Sequence, residues 1–415
     1  MSGNITEQGK AVISTVKNTV KNTANSIGVN IPKSSTTIYI LLALIIVGSI
    51  IFMVISWILY TLNKKGAACK KLDALYLDNS KHKTYSFLTP QGTVKGDAMQ
   101  DGRPKNFFDN PNSSLLKNYY IKTAYNACCG DGYKNNFVNI CALEKCIMLG
   151  ARCLDFEIYS YNGEPIVAAS TANNNSIKET YNFIKLYDVL NLLSARCFDE
   201  EFNQCSNDPM FLHFRIMSEN AVIYDKFGEY IKENLVAGKD NIVDIKKFNY
   251  KNSNQDELLQ SHIASGEFDK KFVVMVNTMH VPILDTSRLA EYVHIRSGSS
   301  TMRFLRYENL VAAGKNNPLT VDESHRSLAI VLPNIDNTLD NFDPLLPFSN
   351  GCQFVGMKFQ NIDNNLLGYY KMFKESGNFS FVLKPRDLRK DIIKSEPAAT
   401  DSPLDAQTSF SLGYQ

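Results

Sequence analysis

From Ile38 to Leu62 the chain reads IYILLALIIVGSIIFMVISWILYTL, without one charged side chain. As a helix this stretch is about 37 Å long, enough to cross a bilayer. Tyr39 near one end, and Trp57 and Tyr60 near the other, suit the two interfacial belts. The run shows no polar face of the kind a core helix carries. It also starts too far into the chain, and runs too long, for the apolar centre of a cleaved signal peptide. It predicts a retained spanning helix over 38–62, preceded by a polar, disordered tail over 1–37.

Beyond the span the pattern changes twice. Residues 63–104 mix Gly, Pro, Asn and Lys with short apolar pieces and read as a juxtamembrane tether. Then β-rich runs alternate with helical stretches. NYYIKTAY leads to a helix over FVNICALEKCIMLGA, then RCLDFEIYS, PIVAA, a helix over IKLYDVLNLLSARCF, PMFLHFRIM, a helix over AVIYDKFGEYIKENL, and KKFVVMVNT. RSLAIVLP, CQFVGMKF, a helix near NLLGYYKMF, and SFVLKP follow. Several strands are apolar on both faces, as a parallel sheet covered by helices requires. The expected fold class is α/β: a closed TIM-type (β/α)8 barrel over 105–392, preceded by one transmembrane helix and followed by a disordered tail over 393–415.

Charge and cysteine content narrow the partners. Lys plus Arg number 44 against 42 Asp plus Glu, which leaves no strongly basic face and argues against nucleic acid. The nine cysteines, at 69, 128, 129, 141, 146, 153, 197, 205 and 352, are odd in number and lack zinc-site spacing. They read as reduced thiols, most of them in the core. Sequons at Asn4, Asn112, Asn174 and Asn378 arise easily in an Asn-rich chain and are weak signs of a lumenal address. Lys10, Lys17, Lys21 and Lys33 precede the span, while Lys64, Lys65, Lys70 and Lys71 follow it within a shorter stretch, which tilts the large domain toward the cytosol. The latter four serve equally to solvate the chain at the membrane or to meet anionic headgroups.

Two separated stretches carry a family resemblance. NYYIKTAYN followed by LGARCLDFEIYSYNGEPIV, and GCQFVGMKFQ followed by GNFSFVLKPRDLR, resemble the two conserved halves of the phosphoinositide-specific phospholipase C catalytic barrel. The resemblance implies the phospholipase C-like phosphodiesterase fold, an active site that uses two histidines as base and acid, and a calcium ion that neutralises charge. Carried over residue by residue, the first histidine falls on Tyr125, with the adjacent metal-ligand asparagine kept as Asn126. The second histidine falls on Ala169. The acidic metal-ligand pair corresponds to Asp155 and Glu157, two apart on a strand and so on one side of it, but the third acidic ligand falls on Arg215. The substrate-gripping lysine and arginine fall on Met275 and Ile330.

A tyrosine, which titrates near 10, is a poor base at neutral pH. The expectation is therefore a pseudoenzyme: a buried ion cluster of Asp155, Glu157 and Arg215, with no calcium or other cofactor. His213 reads as a hydrogen-bonded core histidine, and the Cys128–Cys129 pair as packing, since no adjacent histidine could activate either thiol. The expected function is a single-pass, membrane-anchored phospholipase C-like protein that binds phosphoinositide headgroups or a protein partner without turnover. One alternative is an active phosphoric diester hydrolase that uses non-family residues. The other is a structural or assembly protein of a membrane.

Overall fold

The computed structural model describes residues 35–77, 84–88 and 115–389, with short omissions at 173–176, 239, 253–257, 260, 264 and 279–281, and isolated residues before 35. Most of the N-terminal tail, the tether from 78 to 83 and from 89 to 104, the tail over 393–415 and the sequons Asn4, Asn112 and Asn174 lie outside the described residues. Two compact units are present, residues 1–64 and 65–415.

The apolar run lies in one helix, α1 (Ser35–Leu75), the one helix among the described residues long and apolar enough to cross a membrane. It does not stop where the apolar run stops. Its last turns, read from sequence as tether, bury Ala68 and Leu72 in the second unit, and Tyr76 follows just beyond with its hydroxyl donating to the Phe359 carbonyl at 2.6 Å. KKGAACKK has too few apolar residues to announce a packed helix. The pattern at Ala68, Leu72 and Tyr76, spaced four apart, is nonetheless that of one buried face.

Eight strands form a nearly closed parallel barrel: β1 (Tyr119–Ala124), β2 (Cys153–Tyr161), β5 (Met210–Ile216), β6 (Phe272–Asn277), β7 (Ile295–Arg296), β8 (Met302–Arg306), β9 (Leu328–Leu332) and β10 (Phe354–Met357). Their order around the wall is β7-β6-β5-β2-β1-β10-β9-β8. A parallel bridge from Ser297 to Met302 brings the two ends together. Two strands of the expected barrel are not part of it. PIVAA is β3 (Glu164–Ala168), which folds back antiparallel on β2 and continues to β4 (Ile184–Lys185). SFVLKP supplies β11 (Phe381–Leu383), which runs antiparallel beside β1. In their place stand β7 and β8, too short and too mixed in polarity to stand out in EYVHIRSGSSTMRFLRYE.

Helices cover the outside. They include α2 (Ile140–Met148), α3 (Leu186–Arg196), α4 (Ala221–Ile231), α5 (Tyr307–Ala313), α6 (Pro318–Arg326), α7 (Leu345–Ser349) and α8 (Asn364–Glu375). In α3 the buried residues are Leu186, Val189, Leu190 and Leu193, and in α8 they are Leu366, Tyr369, Tyr370 and Phe373: the i, i+3, i+4, i+7 stripe of a helix packed on a sheet. Asn220, Asn317 and Asp363 accept from backbone amides at the starts of α4, α6 and α8, and Pro318 occupies the first turn of α6. A Cβ on Gly228 would stand 2.7 Å from the backbone of Arg288, so a side chain here would drive α4 off the turn that follows β6.

The cysteine expectation is overturned at one pair. Cys69 in α1 and Cys141 in α2 form a disulfide, with Cα atoms 5.9 Å apart. The other seven cysteines are free and buried. A separation of 72 residues carries no sequence signal that these two should meet.

Candidate functional site

The barrel interior gathers charge on the β1–β2–β5 side. Alternation along β2 sends Asp155 and Glu157 the same way, and the parallel register sets Asp155 opposite His213 and Glu157 opposite Arg215. Asn126 enters from just past β1 with φ 44°, a left-handed conformation that asparagine tolerates better than most residues. All of these side chains are buried.

Arg215 occupies the centre. Its Nε donates to Asp155 Oδ1 at 2.9 Å and its Nη2 to Asp155 Oδ2 at 2.7 Å, a two-pronged grip. Nη1 donates to Glu157 Oε1 at 3.0 Å, and Nη2 also reaches Asn126 Oδ1 at 2.8 Å. Asn126 returns a bond from Nδ2 to Glu157 Oε1 at 2.9 Å, and its backbone N–H reaches Asp155 Oδ2 at 3.2 Å. Glu157 Oε2 accepts from the Tyr159 hydroxyl and from the Ser170 backbone N–H, each at 2.9 Å. His213 Nδ1 lies 2.7 Å from Asp155 Oδ1. Every carboxylate oxygen of the pair thus has two protein partners.

Electrostatics follow from this packing. Burial opposes ionisation of Asp155, but Arg215 and the His213 hydrogen bond outweigh it and hold the carboxyl well below the usual range. Burial also penalises the Arg215 cation, yet Asp155 and Glu157 more than offset it and keep the guanidinium charged. Burial pushes His213 down, against the pull of Asp155, so the imidazole is neutral at physiological pH. Its Nε2 lies 2.8 Å from Ser297 Oγ.

The remaining expected positions fall around this cluster without adding chemistry to it. Tyr125 lies under the guanidinium, with the Arg215 carbon 5.0 Å from its ring centroid. Burial raises its hydroxyl to about 12, despite Arg215, so it stays protonated near neutrality. Ala169 is wholly buried and places the following Ser170 amide on Glu157. Met275 sits beside His213 on β6, and Ile330 lies between Phe304 and Phe354 in the β8–β9–β10 wall; both are apolar and buried.

Sequence reading named Asp155, Glu157, Asn126 and Arg215, and the structure brings all four together. It placed His213 on a strand near the barrel mouth as a core histidine but not against the acidic pair, because strand register is not visible in one sequence; an imidazole 2.7 Å from Asp155 counts against the pseudoenzyme expectation. Ser297 was missed, since nothing in RSGSSTMRF marks it. Calcium takes six to eight oxygen ligands at about 2.3–2.6 Å. Here the space between Asp155, Glu157 and Asn126 is filled by guanidinium nitrogens, so the residues present do not fit the ion. Among the described residues no group of three or more His, Cys, Asp or Glu is arranged to hold a metal.

No family model matches the sequence, and no curated protein matches it. Solved structures do match. The phospholipase C structure "PLC21" of L. pealei is 17% identical, with a TM-score of 0.52 over 67% of this chain, and that of S. officinalis gives the same values. This chain spans only 38% of the length of either. A calcium-dependent phosphoinositol-specific phospholipase C from a Pseudomonas species is 9% identical, with a TM-score of 0.40 over 60% of this chain and 93% of its own. The barrel has the fold seen in phosphoinositide-specific phospholipase C structures.

Proposed function

We propose, on the premise that a phospholipase C-type barrel follows a membrane-spanning helix in this chain, that the protein is a membrane-held binding module that has given up phosphodiester cleavage. The observation that carries this reading is the seating of Arg215 between Asp155 and Glu157. General acid–base cleavage of a phosphodiester needs a proton acceptor and a proton donor that reach the substrate, each tuned near the working pH. Tyr125 stays protonated, Ala169 carries no titratable group, and the carboxylates have no free lone pair for an incoming hydroxyl or ion. The loss of basic side chains at Met275 and Ile330 removes the counter-charges that a phosphate would meet inside the barrel. Its ligand at the membrane is a phosphoinositide headgroup bound outside the barrel interior, or a protein.

The test uses the full-length chain reconstituted in vesicles containing phosphatidylinositol or its phosphorylated forms, with and without calcium. The expected result is no release of inositol phosphate. Release that disappears in Asp155→Asn overturns the reading. Protection of the barrel from hydrogen exchange that depends on phosphoinositide content marks a lipid reader, and indifference to the headgroup marks a protein-binding module.

One observation favours a second reading, a working hydrolase built from non-family residues. Ser297, His213 and Asp155 form a hydrogen-bonded chain in the order that nucleophilic serine enzymes use, with contacts of 2.8 and 2.7 Å. Against it, His213 and Ser297 are both buried, and the side-chain amide of Asn277 beside them donates to the Ser297 carbonyl. A fluorophosphonate probe that labels the full-length chain, and fails to label Ser297→Ala, would establish this reading instead.

A further inference from the structure

We propose that the barrel faces an oxidising compartment, where Cys69 and Cys141 join and fasten the last turns of α1 to barrel helix α2. The inference goes beyond the binding reading and does not depend on it. It rests on how the nine sulfurs are distributed. Seven lie in the interior, where burial raises the thiol pKa, as it does for Cys128, Cys129, Cys146, Cys153, Cys197, Cys205 and Cys352. Such thiols react slowly with an oxidant. Cys69 and Cys141 alone are half-buried, and they are the two that meet, at a Cα separation inside the range that bridged cysteines occupy.

The surroundings hold the pair in register before it closes. Ala68 and Leu72 bury their side chains against the loop after β1, where a Cβ on Gly130 would come within 3.3 Å of Ala68 Cβ. Lys71 pairs with Asp131 and Lys145 with Asp73, each at 3.0 Å, on either side of the disulfide. Ion pairs near the surface contribute little by themselves, and the covalent link adds to the burial of Ala68, Leu72 and Tyr76 in holding this segment. Disulfides persist in oxidising spaces and are rare in the reduced cytosol. In closing, the two thiols give up two protons and two electrons to the disulfide of a thiol oxidoreductase in that compartment, which becomes a dithiol.

The lysine balance across the span points the other way. That balance is a difference of few charges, and Lys71 is engaged by Asp131 instead of remaining free for the membrane surface. The bond also links two cysteines 72 residues apart in the sequence.

The full-length chain in sealed membranes, treated with a membrane-impermeant polyethylene-glycol maleimide, tests this. Without reductant, no label is expected. After mild reduction, two labels are expected on the native chain, one on Cys69→Ser or Cys141→Ser, and none on the double variant, with reagent reaching them only from the non-cytosolic face. Two labels without reductant overturn the disulfide. A bond that forms while protease added to the cytosolic side digests the barrel overturns the compartment. Both of these readouts are made on the unaltered chain, so a variant that fails to fold leaves the proposal open to refutation.

Discussion

The barrel interior holds two kinds of position. On the β1–β2–β5 side, Asn126, Asp155, Glu157, His213 and Arg215 remain polar and bind one another. Around them, Met275 on β6, Ile330 on β9 and Ala169 after β3 are apolar where the phospholipase C resemblance implies a lysine, an arginine and a histidine. The difference separates groups that can satisfy each other from groups that need a ligand. A buried charge without a partner costs several kcal/mol. A lysine on β6 without a partner would carry that cost, while Asp155 and Glu157 are tolerable because a cation stands between them. Arg215 is that cation.

The sharpest way to break this contrast is Arg215→Met, which leaves two carboxylates buried side by side. The expected loss is about 3–5 kcal/mol of unfolding free energy, read by denaturant melts of the solubilised chain. The triple change Asp155→Asn, Glu157→Gln, Arg215→Met should recover much of it, because neutral amides need no counter-ion. A loss below about 1 kcal/mol for the single variant would show that the cluster is not holding the barrel together.

Reversing an apolar position comes next. Met275→Lys puts an unneutralised amine where a methionine packs, beside an imidazole already kept neutral, and is expected to cost about 2–4 kcal/mol and to gain no phosphodiesterase activity. The double variant Tyr125→His, Ala169→His, assayed on phosphatidylinositol vesicles, should likewise release no inositol phosphate while Arg215 is in place.

Acid sensitivity should be the third effect. Unfolded histidine titrates near 6.5, whereas burial depresses His213 and holds His294 at about 4. Below about 6.5 the unfolded chain therefore binds more protons than the folded one, so stability is full above that pH and falls as pH drops toward 4. Asp155, also depressed, contributes stability that is present above about 3.9 and is lost as pH falls further. His294→Gln should flatten the first part of that decline in melts collected from pH 7 to 4, worth roughly 1–3 kcal/mol at its end. The smallest effect is expected from Tyr125→Phe, within about 0.5 kcal/mol, because the ring and not the hydroxyl contacts the guanidinium.

Much of the architecture was legible because its signals are local. The uncharged run over 38–62, the two-faced apolar strands and the helical stripes of α3 and α8 each follow from spacing alone. What escaped depends on neighbours distant in sequence. Asp155 meets His213 through the pairing of β2 with β5, and Cys69 meets Cys141 through the docking of α1 on α2. Neither contact leaves a periodic trace. Strands β7 and β8 escaped for a different reason: barrel closure needs only a few residues from each, too few to establish alternation.

The antiparallel pairing of β11 with β1 bears on biogenesis. Tyr119, Tyr120 and Ile121 are matched to Leu383, Val382 and Phe381, and the Lys384 amide donates to Asn118. The earliest barrel strand to leave the ribosome must therefore wait for almost the latest before its edge is covered. Until then its backbone donors and acceptors are open to mispairing, and the nascent chain depends on prompt completion or on a chaperone to shield that seam.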